Sequence, residues 1–527
     1  MHGFLTSSIG VTCAAALALP LTAAPTTATA ATGRAVPASA PAAAYVPGST
    51  QSLPLAPLSG DRASTSPGTA EQGVPRRDTR HFSLVGVVWD DPATELHGRV
   101  QVRTRATATG TWSDWQDLET HNADHAADPG TAESASGRLR GATAPLWVGE
   151  SDGVEVRVRA GDEDGTTDAA TASPLPTGMR LELVDPGQGT PPQPPTDEAA
   201  SGEGPRTTAL TAETTETAET TETAETAETT ETATETAETS ETAETAETAE
   251  TGETTESVEP IGAAAEALGT AESAEVFASL EGLDASAANA GLAPLGATEI
   301  PALSRLQTES ELLALGTLTE QQKAKPYVGP RPSITTRRGW GANEKLREKK
   351  FVYTKKVKAA FVHHSATGNN YRCSQAPSVI RSIYRYHVKS MGWRDIGYNF
   401  LVDKCGKIYE GRAGGVSKPV LGAHTMGFNS NSMGIAVLGT YGSKKPSSAA
   451  VKAVARLTAW KLGLYGMNPR GKTYLKSGGG NLYRKGKNVR LNVISGHRDG
   501  FATSCPGKQL YKKLGTARSS AAKYQGR

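Results

Sequence analysis

Two histidines, a cysteine and a tyrosine in the C-terminal third of the chain could form a catalytic metal site. His363 lies in the phrase F-V-H-H-S-A-T, Tyr398 in G-Y-N-F, and both His497 and Cys505 in G-H-R-D-G-F-A-T-S-C-P-G. Two imidazoles and one thiolate can fill three corners of a zinc tetrahedron and leave the fourth corner for water, as catalytic zinc sites do. The pattern therefore predicts a zinc site with His363, His497 and Cys505 as ligands.

The cysteine count agrees with this assignment. Of the four cysteines, Cys13 lies in an apolar N-terminal stretch that predicts an export signal, so three remain in the exported chain. Cys373 and Cys405 are expected to form a disulfide in an oxidising compartment, which leaves Cys505 for the metal. The competing arrangement pairs Cys505 with one of the other two and would destroy the site.

Residues 327–527 contain alternating strand and helix patterns that position these side chains. This order predicts an α/β fold, with a mixed central sheet flanked by helices and the site at the strand ends. The predicted elements are a strand at 357–364 that ends in the His-His pair, a helix after Pro377, a hairpin across Cys405-Gly406, a buried strand at 433–439, a helix from Ser447 or Ser448 to Leu462, and a strand at 489–495.

The N-terminal part of the chain divides by composition. Residues 1–30 are apolar and Ala-rich and predict a secretory signal peptide, and the apolar run is too short for a membrane span. Residues 31–78 are rich in Ala, Pro, Ser and Thr and predict a flexible lead-in. Short alternating strands over 79–187 predict a small all-β sandwich domain of unknown role. Its Trp112, Trp115 and Trp147 are expected to pack in the core or at a strand edge, with a sugar-stacking surface as the alternative.

Residues 188–326 are predicted to form a low-complexity spacer that holds the C-terminal domain away from its tether. The stretch 211–259 consists almost entirely of Thr, Ala and Glu in repeating units and cannot build a packed core. Residues 261–325 are rich in Ala and Leu, and leucines at helical spacing between 303 and 313 predict one or two amphipathic helices there. The threonines leave O-glycosylation open, and the acidic charge leaves screening of a basic domain open.

The net charge of zero conceals a strong segregation of charge. Residues 325–527 contain 39 Lys and Arg against 6 Asp and Glu, a net charge of +33, and the remainder of the chain balances it. A domain so basic attracts polyanions, such as anionic bacterial wall polymers or nucleic acid. The export signal and the absence of a nucleic-acid motif favour the wall, so we expect a secreted, extracellular or wall-associated monomer without a membrane span.

Five phrases of the C-terminal domain together resemble the peptidoglycan recognition protein and zinc amidase family. They are V-H-H-S-A-T, G-W-R-D-I-G-Y-N-F-L-V-D, I-Y-E-G-R, G-A-H-T-M-G-F-N-S-N-S-M-G-I and G-H-R-D-G-F-A-T-S-C-P-G. The resemblance covers about 334–516 and says nothing about the N-terminal domain. It implies an N-acetylmuramoyl-L-alanine amidase, in which hydroxide on zinc attacks the amide bond between N-acetylmuramic acid and the L-Ala of peptidoglycan.

The resemblance also implies roles for single residues. Tyr398 and Thr503 would act in catalysis, although Thr503 stands where a phage relative has lysine. His424 and Asn429 would lie in the loop that helps to line the peptide groove and, with His364, would help to bind the muramyl peptide. His364 would otherwise pack behind the site or replace His363 as a ligand. Ala413-Gly414-Gly415 departs from the patterns that mark a preference for diaminopimelate or lysine, so the stem-peptide preference stays open.

Three functions are compatible with these observations. The full set of His363, His497, Cys505 and Tyr398 favours the enzyme, because catalytically silent relatives typically lack the zinc cysteine. The alternative is a peptidoglycan-binding recognition protein with little or no turnover. A nucleic-acid-binding domain is the third, and binding to purified wall versus DNA separates it from the others.

Overall fold

The computed structural model describes residues 47–58, 71–120, 124–161, 174–188, 284–316 and 327–527. The predicted signal peptide and the Thr/Ala/Glu repeats lie outside these residues. Within them, no helix combines the length and apolar character needed to cross a bilayer.

The N-terminal domain is an antiparallel sheet in the order β1-β8-β3-β7-β4-β5, with β2 and β6 paired to β3. An all-β domain was predicted, but one continuous hydrogen-bonded sheet replaces the two separate sheets of the predicted sandwich. The 19-residue β3 and 15-residue β7 carry register shifts that allow a sheet to bend on itself. The strands are β1 (Ser49–Pro54), β2 (Ala56–Pro57), β3 (Glu71–Trp89), β4 (Gly98–Ala106), β5 (Gln116–Leu118), β6 (Gly141–Ala142), β7 (Leu146–Ala160) and β8 (Arg180–Asp185).

The flexible lead-in predicted over 31–78 is wrong in its described part. Strand β1 pairs with β8 over six residues, from Ser49 opposite Asp185 to Pro54 opposite Arg180, and β3 already begins at Glu71. Proline-rich composition misled the prediction, because Pro54 lies at the end of an edge strand, where a missing N–H breaks no ladder.

The C-terminal domain is a mixed sheet in the order β17-β11-β14-β12-β13-β10-β9, as the α/β prediction requires. Strand β11 runs parallel to both β14 and β17, and β12 runs parallel to β14 but antiparallel to β13. A separate hairpin joins β15 and β16. The strands are β9 (Glu299–Ile300), β10 (Ile334–Thr335), β11 (Ala359–His364), β12 (Phe400–Val402), β13 (Ile408–Glu410), β14 (Ser432–Val437), β15 (Lys472–Lys476), β16 (Asn488–Asn492) and β17 (Ile494–Gly496).

Helices cover both faces of this sheet. They are α1 (Arg305–Ala314), α2 (Ala376–Arg385), continued by a π-helical turn (Tyr386–Ser390), α3 (Ser448–Gly463), α4 (Lys508–Tyr511) and α5 (Leu514–Tyr524), with 3-10 turns at Cys373–Gln375 and His497–Asp499. Proline stands in the first turn of α2, and the Ser447 hydroxyl caps α3 by accepting a hydrogen bond from the Ala450 amide. Because side chains alternate along a strand, Met433 and Ile435 of β14 pack in the cluster with α3, and Ala436 packs in the cluster with α2.

The predicted spacer extends too far toward the C-terminus. Helix α1 confirms the predicted leucine helix, and it begins with a capping box between Ser304 and Gln307. Strand β9 extends the C-terminal sheet, and the Asn289 amide donates to both oxygens of the buried Glu410 carboxylate. Residues 284–316 therefore belong to the C-terminal domain.

The two domains share a hydrophobic core. Leu84, Val88, Trp147 and Val184 of the N-terminal domain belong to one buried cluster with Tyr386 and the residues of α2. The Tyr386 hydroxyl donates to the carbonyl oxygen of Thr143 at 3.1 Å. The C-terminal domain is thus docked on the N-terminal domain and not held apart from it, contrary to the role expected for the spacer.

The three tryptophans of the N-terminal domain have separate environments. Trp147 is buried in the core shared by the domains. Trp112 and Trp115 are half-buried, and guanidinium groups cover their rings, with Arg76 4.4 Å from the Trp112 centroid and Arg157 4.1 Å from the Trp115 centroid. Only Trp147 therefore packs in a core, and the other two tryptophans stack with arginines.

Candidate metal centre

Two adjacent parallel strands bring His363 and His497 together. In the register of β11 and β17, Val362 lies opposite Gly496, so the residues that follow each of them meet at the same edge of the sheet. Side chains alternate along β11, so Val362 packs in the cluster with α3 and His363 points to the opposite face. This local geometry explains why a histidine at the end of each strand reaches one site.

A short loop returns the chain from His497 to Cys505. The Arg498 amide donates to the carbonyl oxygen of Cys505 at 3.1 Å, and the Cys505 amide donates to the Thr503 hydroxyl at the same distance. The Cys505 thiol is fully buried and is not disulfide-bonded. Its sulfur lies 3.8 Å from Nδ1 of His363. The side chains of the three predicted ligands therefore lie together in one cluster.

A third histidine, His125 of the N-terminal domain, adds a fourth candidate ligand to the cluster. It lies in the loop between β5 and β6, and its Nε2 is 3.7 Å from the Cys505 sulfur. The potential ligand atoms of His125, His363, His497 and Cys505 all lie within 4.8 Å of one another, and all four residues are buried. The sequence-based prediction had left this fourth position to water.

The donor set fits zinc, the ion that the family resemblance implies. Zn–S and Zn–N bonds of about 2.3 and 2.0–2.1 Å in a tetrahedron separate S from N by about 3.6 Å, close to the two S···N distances above. Both ring nitrogens of His497 are buried without a hydrogen-bond partner in the described residues. A buried, unpartnered nitrogen is costly unless a cation uses it.

The protonation of the cluster suits a cation. Burial lowers the pKa of His363 well below its ordinary value, and the neighbouring His497 and His125 lower it further. Burial also lowers the pKa of His497 to about 3 despite the attraction of Asp124. Both imidazoles are therefore neutral near pH 7 and keep a lone pair for a metal. Burial and the nearby Asp124 raise the pKa of the Cys505 thiol, so a bound metal would have to displace its proton.

Outer contacts orient the imidazoles. Asp124 Oδ1 lies 2.9 Å from Nδ1 of His125, which leaves Nε2 facing the cluster, and Asp124 Oδ2 lies 3.6 Å from Nδ1 of His497. The Thr425 hydroxyl lies 3.4 Å from Nε2 of His363, on the ring edge away from Cys505. Carboxylates and hydroxyls in this position fix the ring orientation of metal-binding histidines.

The two predicted catalytic residues lie beside the cluster. The ring centroid of Tyr398 is 5.6 Å from that of His363 and 5.7 Å from that of His125. Burial raises the pKa of Tyr398, and the neighbouring Cys505 and Asp124 raise it further, so the phenol stays protonated at neutral pH. The Thr503 hydroxyl contacts Asp124 and accepts the Cys505 amide hydrogen bond.

The predicted substrate-binding residues lie against the N-terminal domain or inside the fold. Nε2 of His364 is 3.4 Å from Glu119 Oε2, and its Nδ1 accepts the Tyr441 amide. His424 is fully buried, with its ring 5.3 Å from that of His363, so it packs behind the cluster in this structure. Asn429 accepts the amides of His424 and Thr425 and is covered by the N-terminal domain. Their substrate-binding roles stay predictions.

The predicted disulfide is present. Cys373 precedes α2 and Cys405 lies in the hairpin between β12 and β13, and the two are bonded with their Cα atoms 6.2 Å apart. This pairing removes the competing arrangement with Cys505.

Sequence reasoning missed every contribution of the N-terminal domain to this site. Glu119, Asp124, His125, Asp128 and Glu133 all lie in the β5–β6 loop and contact the C-terminal domain. The only sequence signal is an Asp-His pair in an acidic loop, and nothing in its spacing connects it to residues far along the chain.

The histidine and cysteine side chains at the strand ends of this mixed sheet form a candidate metal site. The N-acetylmuramoyl-L-alanine amidase family model matches residues 353–508, and a model described as the Rv3811 N-terminal galactose-binding domain-like family matches 37–178. Peptidoglycan-recognition protein 1 of Holotrichia diomphalia is 36% identical over 187 residues, which cover 35% of this chain and 79% of the relative. Peptidoglycan-recognition protein SC2 of Drosophila simulans is 32% identical over 159 residues, covering 30% and 72%. The N-acetylmuramoyl-L-alanine amidase of Homo sapiens is 31% identical over 190 residues, covering 35% and 28%.

The chain therefore belongs to the peptidoglycan recognition protein and zinc amidase family, as its motifs predicted. The solved structure of Drosophila PGRP-LB is similar at 25% identity and a TM-score of 0.28, over 35% of this chain and 92% of that chain. The N-terminal domain carries a different family signature from the C-terminal domain.

Proposed function

We propose that this protein is a secreted, zinc-dependent N-acetylmuramoyl-L-alanine amidase that hydrolyses the bond between N-acetylmuramic acid and L-Ala in peptidoglycan. The observation that carries the proposal is the convergence of His363, His497 and Cys505, with Tyr398 beside them, in a chain of this family. His363, His497 and Cys505 would hold the zinc ion. Zinc in such a site lowers the pKa of a bound water toward about 7 and so supplies a nucleophile at neutral pH.

The chain's own groups would stabilise the reacting amide. Because Tyr398 is buried and protonated, its hydroxyl can donate a hydrogen bond to a carbonyl oxygen as negative charge develops there. Thr503 keeps the cysteine loop in place through its bond with the Cys505 amide, and its hydroxyl is a second donor near the cluster. No buried glutamate of the C-terminal domain contacts the cluster in the described residues, so we assign no general base to that domain.

Two further observations support a wall-associated protein. A disulfide between Cys373 and Cys405 suits an oxidising compartment, in agreement with the predicted signal peptide. The net charge of +33 over 325–527 favours attraction to anionic wall polymers in addition to the muramyl peptide.

A second candidate function is a recognition module that binds muramyl peptide and holds zinc without turnover. One specific observation favours it, which is that His125 gives the cluster four protein ligands. Closed four-ligand zinc sites are structural as a rule, whereas catalytic sites keep one position open.

The deciding experiment measures zinc content and stem-peptide release from purified peptidoglycan by the full chain. Wild type, Cys505→Ser and Tyr398→Phe are compared, each with and without His125→Ala. Cys505→Ser should lose zinc and release in both backgrounds. Tyr398→Phe should keep zinc and lose release by about 10²- to 10³-fold, the usual effect of removing one oxyanion donor.

Tyr441→Phe is the matched control, because Tyr441 is also a buried tyrosine of the same domain but donates to the carbonyl oxygen of Leu438. It should release peptide as its parent does. Binding to peptidoglycan without release in either His125 background would establish the recognition module instead.

A further inference from the structure

Part of the β5–β6 loop of the N-terminal domain lies directly on the metal cluster and on the predicted substrate groove. We call residues 124–133 the acidic plug, because they include Asp124, Asp128 and Glu133. The plug contains turns and bends but no helix or strand. The sheet of the N-terminal domain does not depend on it for any ladder hydrogen bond.

The first half of the plug is bonded to the predicted substrate-binding loop. The Met426 amide donates to the carbonyl oxygen of Asp124 at 3.0 Å. Asp128 Oδ1 accepts the Gly427 amide at 2.8 Å and the Asn429 side-chain amide at 2.7 Å. The Asn429 side chain also donates to the Ala126 carbonyl oxygen at 2.8 Å. The donors of this loop are therefore already used.

The second half of the plug neutralises a buried cation of the C-terminal domain. The Glu133 carboxylate accepts two hydrogen bonds from the Arg412 guanidinium, at 2.8 and 3.0 Å, and a third from the Arg394 amide. Both side chains of this ion pair are less than a tenth exposed. Just before the plug, Glu119 lies 3.4 Å from His364 and accepts the Ser504 hydroxyl at 2.7 Å.

We infer that the acidic plug is a built-in inhibitor, which supplies His125 as a fourth zinc ligand and covers the groove, so that the folded chain is a latent enzyme. This inference rests on the proposed amidase function. The fourth ligand takes the position that a catalytic zinc site leaves open, and the carboxylates of the plug occupy the groups that an acidic muramyl peptide would have to contact.

Opening requires movement of the plug and not separation of the domains. Apart from Ala127, the residues of the shared core around Tyr386 and Trp147 lie outside the plug and keep the domains docked. The plug is a loop between β5 and β6, so it can withdraw while both strands stay paired. A carboxylate-bearing ligand that competes for Arg412 and for the Gly427 and Asn429 donors would favour the withdrawn state.

The test uses the full chain with His125→Ala, and His97→Ala as the matched control. His97 is an exposed histidine of the same N-terminal domain. Zinc affinity is measured by competition with a chromophoric chelator, and the coordination of bound Co²⁺ by its visible absorption. Hydrogen exchange of plug peptides with and without EDTA, and release of stem peptides, complete the comparison.

We expect His125→Ala to weaken zinc binding by at least about tenfold, since even outer-shell substitutions cost 10- to 100-fold. The Co²⁺ spectrum should change, EDTA should speed plug exchange only in wild type and in the control, and peptide release should rise. His125→Gln, which keeps a polar side chain of similar size, should behave in the same way if the effect is not one of misfolding.

The measurements of metal binding and the assay of peptide release test separate parts of the inference. Unchanged zinc affinity and Co²⁺ spectrum in both His125 variants would overturn the fourth ligand and with it the inference. Release that is equal to or lower than wild type, from a variant that still binds zinc and is active, would overturn the latency. Altered zinc binding with no release from any variant would refute the amidase proposal, and with it the latency, while leaving His125 as a ligand.

Discussion

Replacing Glu133 by glutamine removes one charge from the buried ion pair that joins the acidic plug to the groove. The substitution keeps the size of the side chain but leaves the Arg412 guanidinium without its two carboxylate contacts. Breaking a buried pair by removing one partner costs about 3–5 kcal/mol. Arg412 also donates to the Ile396 carbonyl oxygen, and the Asp395 charge is near it, so we expect the lower end of this range.

The cost falls on the closed state alone, because Arg412 regains water when the plug withdraws. A loss of about 3 kcal/mol lowers the ratio of closed to open plug by about 150-fold. The assay is hydrogen exchange of plug amides in the full chain with zinc chelated, so that only contacts between the domains hold the plug. Protection of these amides should fall by the same factor, and release of stem peptides by the zinc-loaded protein should rise.

Arg138→Gln is the matched control. Arg138 lies in the same β5–β6 loop and pairs with Glu348 of the C-terminal domain, but this pair is about half exposed. Exposed pairs contribute about 0–1 kcal/mol, so protection should fall by no more than about fivefold. Equal, small effects of Glu133→Gln and Arg138→Gln would show that the buried pair does not hold the plug, and the reasoning would be refuted.

Two further substitutions test the fold around the site. A Cβ atom at Gly86 would overlap the Tyr386 hydroxyl, so Gly86→Ala should overpack the shared core and lower the free energy of unfolding by about 1–3 kcal/mol. Urea unfolding should show this loss of stability. The control Gly515→Ala should show no loss, because a Cβ atom there meets open space. Burial raises the pKa of Glu410 to about 7 against the hydrogen bond from Asn289, so the folded state binds this proton more tightly than the unfolded state. Stability should fall by about 3 kcal/mol as pH rises from 4.5 to 7, and unfolding of Glu410→Gln across this range should lack that slope.

The elements of the C-terminal domain were predictable because short, local sequence patterns specify them. The apolar runs of β11 and β14, the proline at the start of α2 and the serine before α3 each specify an element on physical grounds. The ligands His363 and His497 follow from strand ends in one sheet, and Cys505 from a nearby loop. Local patterns of this kind can be recognised in a single sequence without knowledge of the structure.

The prediction failed where contacts are non-local. The edge strand Ser49–Pro54 looks like a linker, because Pro54 is tolerated only through the edge position of the strand beside β8. Residues 284–316 look like the end of a spacer, because their packing depends on Glu410 and β10. Neither composition nor periodicity reports which distant surface a segment will cover.

His125 is the clearest case of this limit, and it changes how the ligand set should be interpreted. His363, His497 and Cys505 are the ligands expected of an active amidase when the C-terminal domain is considered alone. The same three residues with His125 form a closed set, and whether the site is open depends on a loop in another domain. Under the proposed function, the ligand set supplies the capacity for the reaction, and the position of the plug determines when that capacity is available.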